Sequence, residues 1–146
     1  MKKLFIISIT LIILLSLSAC SIATGKSDNS AEKIEKKAEK IEIINFHSTY
    51  QCYSCVYIGD TMFKIIEDQF KEDYQSGKII FKKINVDKPE NKDIVDKYQA
   101  RGSSLFFNII IDGKDNISED TNVWRLVGND QAFQNYIVKK INDNLK

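Results

Sequence analysis

The chain has 146 residues, with 21 basic and 20 acidic side chains and a formal net charge of +1, and it contains three cysteines, one histidine and one proline. Near-neutrality leaves no electrostatic footprint for nucleic acid, and no long block of one sign stands out as a binding tail. Six scattered glycines carry no flavin or nicotinamide fingerprint, and no internal repeat is present.

The amino terminus reads as an export signal. Lys2 and Lys3 precede an apolar run over residues 4–17, interrupted only by Ser8, Thr10 and Ser16. A positive start, an apolar stretch of this length and a small-residue end describe a cleaved leader, and the run is shorter than the roughly 20 residues a membrane span needs. Leu17-Ser18-Ala19-Cys20 resembles the lipobox of prokaryotic lipoproteins. The resemblance implies cleavage before Cys20, a diacylglyceryl group on its sulfur, and lipid anchoring on the extracytoplasmic face of a membrane, periplasmic or outer. Each buried CH₂ contributes about 0.8 kcal/mol, and two acyl chains suffice for stable anchoring. Loss of Lys2 and Lys3 with the leader takes the net charge from +1 to −1.

Residues 20–40 read as the lipidated cysteine and a polar tether. Ile34, Ala38 and Ile41 fall at helical spacing, but the Lys, Glu and Ala around them fit a solvated spacer. Residues 41–146 then form one domain of ordinary size.

Strand and helix signals alternate through that domain. Residues 41–47 (IEIINFH) are short and apolar, as a buried strand is. From Cys52 the period changes: Ile58, Met62, Ile65, Ile66, Phe70 and Tyr74 recur at three- and four-residue steps, predicting an amphipathic helix of about twenty residues that ends at Gly77. Residues 79–86 (IIFKKINV) predict a second strand, parallel to the first because a helix connects them. Pro89 opens a shorter helix through Tyr98. Residues 105–111 (LFFNIII) predict a third strand, turned by Asp112-Gly113. Residues 123–127 (VWRLV) alternate faces and predict a hairpin or edge strand. Gly128-Asn129-Asp130 caps a last helix with the stripe Phe133, Tyr136, Ile137 and Ile141.

The order strand, helix, strand, helix, strand, strand, helix, with a central mixed sheet flanked by helices, is that of the thioredoxin-like α/β fold. The residues resemble that superfamily as well. Phe46 followed by Cys52-Tyr53-Ser54-Cys55 is similar to the end of its first strand and its active-site turn. Ile84-Asn85-Val86-Asp87 with Lys88-Pro89 is similar to its second strand and following turn. More narrowly, residues 46–55, 84–99 and 123–137 resemble a thioredoxin-like family labelled nitrophenyl compound nitroreductase subunit, ArsF type.

A Cys-x-x-Cys after a strand and at the opening of a helix is the layout of a dithiol redox centre. Outside the cytosol such a pair can persist as a disulfide, and a bridge across so short a loop suits switching better than stapling. The expected roles are Cys52 as nucleophile, its thiolate facing unpaired N–H groups and the positive helix end, and Cys55 as resolving thiol. The Cys52–Cys55 disulfide is itself the redox group, with no separate cofactor. Expected partners are exported protein thiols and disulfides or a membrane electron donor. The direction of electron flow stays open.

Two departures from the superfamily stand out. Ser103-Ser104 occupies the place of its cis-proline. A cis bond without proline costs about 3 kcal/mol, so a trans, reshaped substrate loop is expected. Asn45 lies near the position of a buried proton-shuttling aspartate, and an amide cannot shuttle protons. The alternative readings use the same thiols. One is a copper-binding or copper-delivery module, with His47, Cys52 and Cys55 holding Cu(I); the other is a redox subunit of a larger reductase. His47 more simply ends the first strand, and Trp124 reads as core or edge packing. The charged residues of 32–42 read as a solvated face. Tyr50 and Tyr53 flank the pair, a placement open to partner contact, though two tyrosines near a loop are common enough to arise by chance.

Overall fold

The computed structural model describes residues 37–145. The expected leader, Cys20 and most of the tether lie outside the described residues.

Four strands form one sheet in the order β2-β1-β3-β4. The first, β1 (Lys40–His47), pairs in parallel with β2 (Ile79–Asn85) and antiparallel with β3 (Ser104–Ile110). A three-residue β4 (Ile117–Glu119) closes the far edge, antiparallel to β3. Between β1 and β2 the chain forms α1 (Tyr53–Gln69) and α2 (Lys71–Gln75). A 3₁₀ turn at Pro89–Asn91 leads into α3 (Lys92–Tyr98), and α4 (Asp130–Leu145) follows β4 after a second 3₁₀ segment, Thr121–Leu126. This connectivity is that of the thioredoxin-like fold expected from the sequence.

Strand alternation divides the core between the two sheet faces. Ile41 and Ile43 of β1 pack with Leu105 and Phe107 of β3 beneath Ile58, Met62, Ile65 and Ile66 of α1 and Phe133, Ile137 and Ile141 of α4. On the opposite face Ile44 and Phe46 meet Phe106, Tyr98 and Ala100. There Phe46, Tyr98 and Phe106 form a ring triad with centroids 5.5–5.7 Å apart, an arrangement that edge-to-face quadrupoles favour.

Three expectations are corrected. The long helix breaks at Phe70, whose φ of −133° is not helical; the break lets its side chain enter the core, where it is buried. Residues 123–127 are no strand: Thr121–Leu126 is 3₁₀, and β4 comes earlier. The same letters satisfy a three-residue period, because Val123 and Leu126 fall on one side of a 3₁₀ turn, and the Asp120 carboxylate starts it by accepting from the Asn122 N–H at 3.1 Å. Glu42 is not part of a solvated face. It is half-buried and accepts from the Tyr98 hydroxyl at 3.1 Å and from Asn108 Nδ2 at 3.0 Å.

Other boundaries move less. Pro89 opens a 3₁₀ turn before the helix proper. Asn129 caps α4 as expected, its Oδ1 accepting from the Ala132 N–H at 3.0 Å. Trp124 is half-buried against the core. Packing starts ahead of residue 41, since Ala38 is buried and its N–H donates to the Asn144 carbonyl at 2.9 Å.

Candidate active site

β1 ends at His47, and the next five residues carry the chain to the opening of α1. That connection is tied down from the β2 side. The Val86 N–H donates to the His47 carbonyl at 2.9 Å, and the Thr49 N–H donates to Asp87 Oδ2 at 2.7 Å. Asn85 Nδ2 donates to the Thr49 hydroxyl at 3.2 Å, and Asn85 Oδ1 accepts from the Asp87 N–H at 2.9 Å. The Thr49 backbone N–H, then its hydroxyl and the nearby His47, hold the Asp87 carboxyl below the usual carboxylate range. His47 Nδ1 lies 3.0 Å from the Ser48 carbonyl and donates to it.

Cys52 is the N-cap of α1, in an extended conformation (φ −78°, ψ 166°). Its carbonyl accepts from the Val56 N–H at 3.1 Å, and its Sγ accepts from the Cys55 N–H at 3.4 Å. No acidic residue occupies the first turn of the helix, so its exposed N–H groups and positive dipole end face the sulfur unopposed. Cys52 and Cys55 are joined as a disulfide, with Cα atoms 5.2 Å apart. Cys52 is exposed and Cys55 is buried. One sulfur is open to attack and the other is enclosed.

Beneath Cys55 the helix touches the sheet through a glycine. Gly59 follows Cys55 by one turn, on the same helix face. A Cβ at Gly59 would stand 2.4 Å from Asn45 Oδ1 and 3.2 Å from Lys83 Cε. Asn45 is buried and is the register partner of Lys83 across β1 and β2; the Lys83 ammonium crosses the notch to pair with Asp60. Asn45 therefore lies on the α1 face of the sheet, in the layer below the disulfide. Tyr57, also on α1, donates to Asp130 Oδ1 at 2.6 Å. Burial, and then this bond, push its phenol above the usual range.

Ser104 begins β3 opposite Phe46, so the Ser103-Ser104 loop reaches the end of the sheet from which the chain runs to Cys52. Ser104 is buried, and its hydroxyl donates to the Gly102 carbonyl at 3.1 Å. Gly102 takes a φ of +153°, and no peptide bond is cis among the described residues. The loop is thus trans, as the missing proline predicts. It borders an open cleft of about 490 Å³ lined by Gln99, Arg101, Gly102, Ser103, Ser104, Phe106 and Glu119. Among the described residues, no three side chains of His, Cys, Asp or Glu are grouped so as to hold a metal ion.

The sequence pointed to the two cysteines, His47, Asn45 and the serine loop, and the fold brings all of them to one end of the sheet. It gave no place in the site to Gly59, Asp87 or Asp130. A glycine inside a helix costs about 1 kcal/mol relative to alanine, so Gly59 was itself a signal of close approach.

No protein-family model matches the chain, and no curated protein matches it. Solved structures do. A thioredoxin from Fasciola hepatica is similar with a TM-score of 0.44 at 19% identity, covering 73% of this chain and 83% of its own. A thioredoxin-like protein from Clostridium perfringens gives 0.47 at 16% identity, covering 85% and 90%. A thioredoxin from Thermus thermophilus gives 0.44 at 14% identity, covering 70% and 72%. The fold itself is fixed by the strand order and connections described above.

Proposed function

We propose that the protein is a thiol–disulfide oxidoreductase, tethered by a lipid on Cys20 to the extracytoplasmic face of a membrane. The observation that carries the chemistry is the asymmetry of the disulfide: Cys52 exposed at the helix cap, Cys55 enclosed one turn on. In the reducing direction the Cys52 thiolate attacks a substrate disulfide and forms a mixed disulfide, expelling one substrate thiolate. Cys55, deprotonated, then attacks Cys52 Sγ; the intramolecular disulfide forms and the second substrate thiolate leaves. The substrate gains two electrons and the protein loses them. The oxidising direction is the reverse.

Tethering and export rest on the leader and on Leu17-Ser18-Ala19-Cys20. The substrate or redox partner would be an exported protein or a membrane electron donor. The closer likeness of residues 46–55, 84–99 and 123–137 to the ArsF-type family belongs to this proposal, as a likeness of the dithiol domain.

The test is trapping. A Cys55→Ser variant should accumulate mixed disulfides through Cys52, and a Cys52→Ser variant should not. A Cys52–Cys55 pair with a measurable reduction potential that never forms a mixed disulfide, yet binds one equivalent of Cu(I), would defeat the proposal in favour of copper handling. Cys20→Ser should release the domain from the membrane fraction.

A further inference from the structure

The cleft of about 490 Å³ is lined in part by Phe106, which packs with Phe46 and Tyr98 on the sheet face away from α1. Ser104 is two residues earlier on β3 and so points the same way. Glu119 of β4 is the register partner of Phe106, and directly opposed residues of an antiparallel pair share a face. The cleft therefore belongs to the sheet face that α1 does not cover. Gln99, Arg101 and Ser103 complete its polar lining.

The backbone on both sides is held locally. Gln99 ends α3 in the left-handed region, with φ +52°, and its N–H donates to the Asp96 carbonyl at 3.1 Å. The Ala100 N–H donates to the Val95 carbonyl, also at 3.1 Å. Gly102 holds a φ of +153°, open to glycine at no steric cost, and its carbonyl accepts from the Ser104 hydroxyl. Across the cleft the Asp120 N–H donates to the Leu105 carbonyl at 2.7 Å and secures the end of β4 next to Glu119.

Arg101 and Glu119 thus bring opposite charges to one cleft from two anchored segments. They form no ion pair with each other, and among the described residues neither side chain has a hydrogen-bond partner. The side chains of Gln99 and Ser103 are likewise unpartnered among the described residues.

This set defines its ligand. The guanidinium calls for a carboxylate, which it grips bidentately, and Glu119 calls for a cation. A phosphate-rich ligand would meet Glu119 as a like charge. The Gln99 amide and the Ser103 hydroxyl each donate and accept, as a peptide group does. A peptide with free ends carries both charges with such groups between them. Two or three extended residues span about 7–11 Å, and the cleft volume falls in the range of about 300–1,000 Å³ usual for small-ligand sites.

We infer that this cleft binds a di- or tripeptide with free termini, its carboxylate on Arg101, its ammonium on Glu119 and its peptide groups against Gln99 and Ser103. No sulfur takes part, so the inference stands apart from the exchange chemistry proposed above.

The test titrates the oxidised full-length chain in detergent with trialanine in four forms: free, N-acetylated, C-amidated and blocked at both ends. Binding is followed by calorimetry and by the amide resonances of residues 99–106 and 119. The free form should bind most tightly, and each single block should weaken it about tenfold. Arg101→Gln should erase the effect of amidation and keep that of acetylation; Glu119→Gln should do the reverse. Variants that weaken all four forms alike overturn the inference, because that is the mark of a merely structural role. Equal affinity for the free and doubly blocked forms also overturns it, in favour of an internal polypeptide segment. So does the absence of binding. Mixed-disulfide trapping with Cys55→Ser proceeds in each of these cases, which keeps failure here distinct from failure of the exchange reading.

Discussion

Replacing Gly59 by alanine tests whether the helix that bears the disulfide is seated on Asn45. In an unconstrained helix, Gly→Ala stabilises by roughly 0.5–1 kcal/mol, because alanine loses less backbone entropy. Here the new Cβ would sit 2.4 Å from Asn45 Oδ1, 3.2 Å from Asn45 Cγ and 3.2 Å from Lys83 Cε. The lysine stem is flexible and can yield. Asn45 is 4% exposed and fixed within the sheet, so either its amide leaves a packed position or α1 lifts. Overpacking of this kind costs about 1–3 kcal/mol, and its mid-range value of about 2 exceeds the alanine gain of about 0.75 by roughly 1.25 kcal/mol. With a urea slope of about 1–3 kcal/mol per M for a domain of this size, the oxidised protein's midpoint should fall by roughly 0.4–1.3 M at unchanged slope. Asn45→Ala combined with Gly59→Ala removes the clash, so the two changes should be strongly non-additive, with a coupling above about 0.5 kcal/mol. A Gly59→Ala protein more stable than wild type would refute the seating, and so would simple additivity.

Three further outcomes follow from the polar groups. Asp87 has a depressed carboxyl pKa in the folded state, so its contribution is present above the unfolded value near 3.8 and is lost as pH falls through the folded one; Asp87→Asn should flatten the acid limb of a stability–pH curve below about pH 4 and leave the neutral region nearly level. Tyr98 is pushed well above the ordinary phenol range, first by burial and then by the Glu42 charge. A raised folded pKa means its stabilisation is complete below about pH 10 and fades above it, so ultraviolet titration should show one tyrosine ionising only with unfolding, and Tyr98→Phe should abolish that step at a cost of about 0.5–1.5 kcal/mol. Asp120, with its side chain 1% exposed, accepts from Lys140 at 2.7 Å and from the Tyr136 hydroxyl at 2.9 Å. Asp120→Ala strands that lysine beside the Phe107 ring and should cost about 3–5 kcal/mol in a denaturant melt; a loss under 1 kcal/mol would show the pair to be screened.

What the sequence displayed, and what it hid, divides along the range of the interactions. The strand of residues 41–47, the stripe from Ile58 to Ile66 and the capped helix after Asn129 were legible because burial of one face writes a period into neighbouring letters. The cysteine pair was legible because its chemistry is contained in four residues. The segment 121–126 was misread because alternation and a three-residue period coincide over so few positions, and the deciding group, Asp120, acts from outside the run. Glu42 was misread for a similar reason. Its partners Tyr98 and Asn108 are 56 and 66 residues away, and nothing local distinguishes a paired acid from a solvated one. Gly59 and Asn45 belong to the same class, since their contact exists only once α1 lies across β1.

These long-range contacts distribute rigidity unevenly around the disulfide. Asp87 fixes the approach to Cys52 through Thr49, the Cys52 cap fixes the first turn of α1, and the Gly59 notch fixes the depth of the turn carrying Cys55. Each acts on backbone behind or below the sulfurs. Tyr50 and Tyr53, which flank Cys52 in the chain, stand largely in solvent. The exchange proposed for this site needs this division. The two sulfurs must be held within bonding reach through reduction and re-oxidation, which demands a fixed frame. Under that proposal a substrate would enter and leave in every cycle, which demands a surface that gives up little when uncovered. Two tyrosines meet the second demand better than two leucines would, because each hydroxyl keeps its hydrogen bonds to water while its ring offers apolar area.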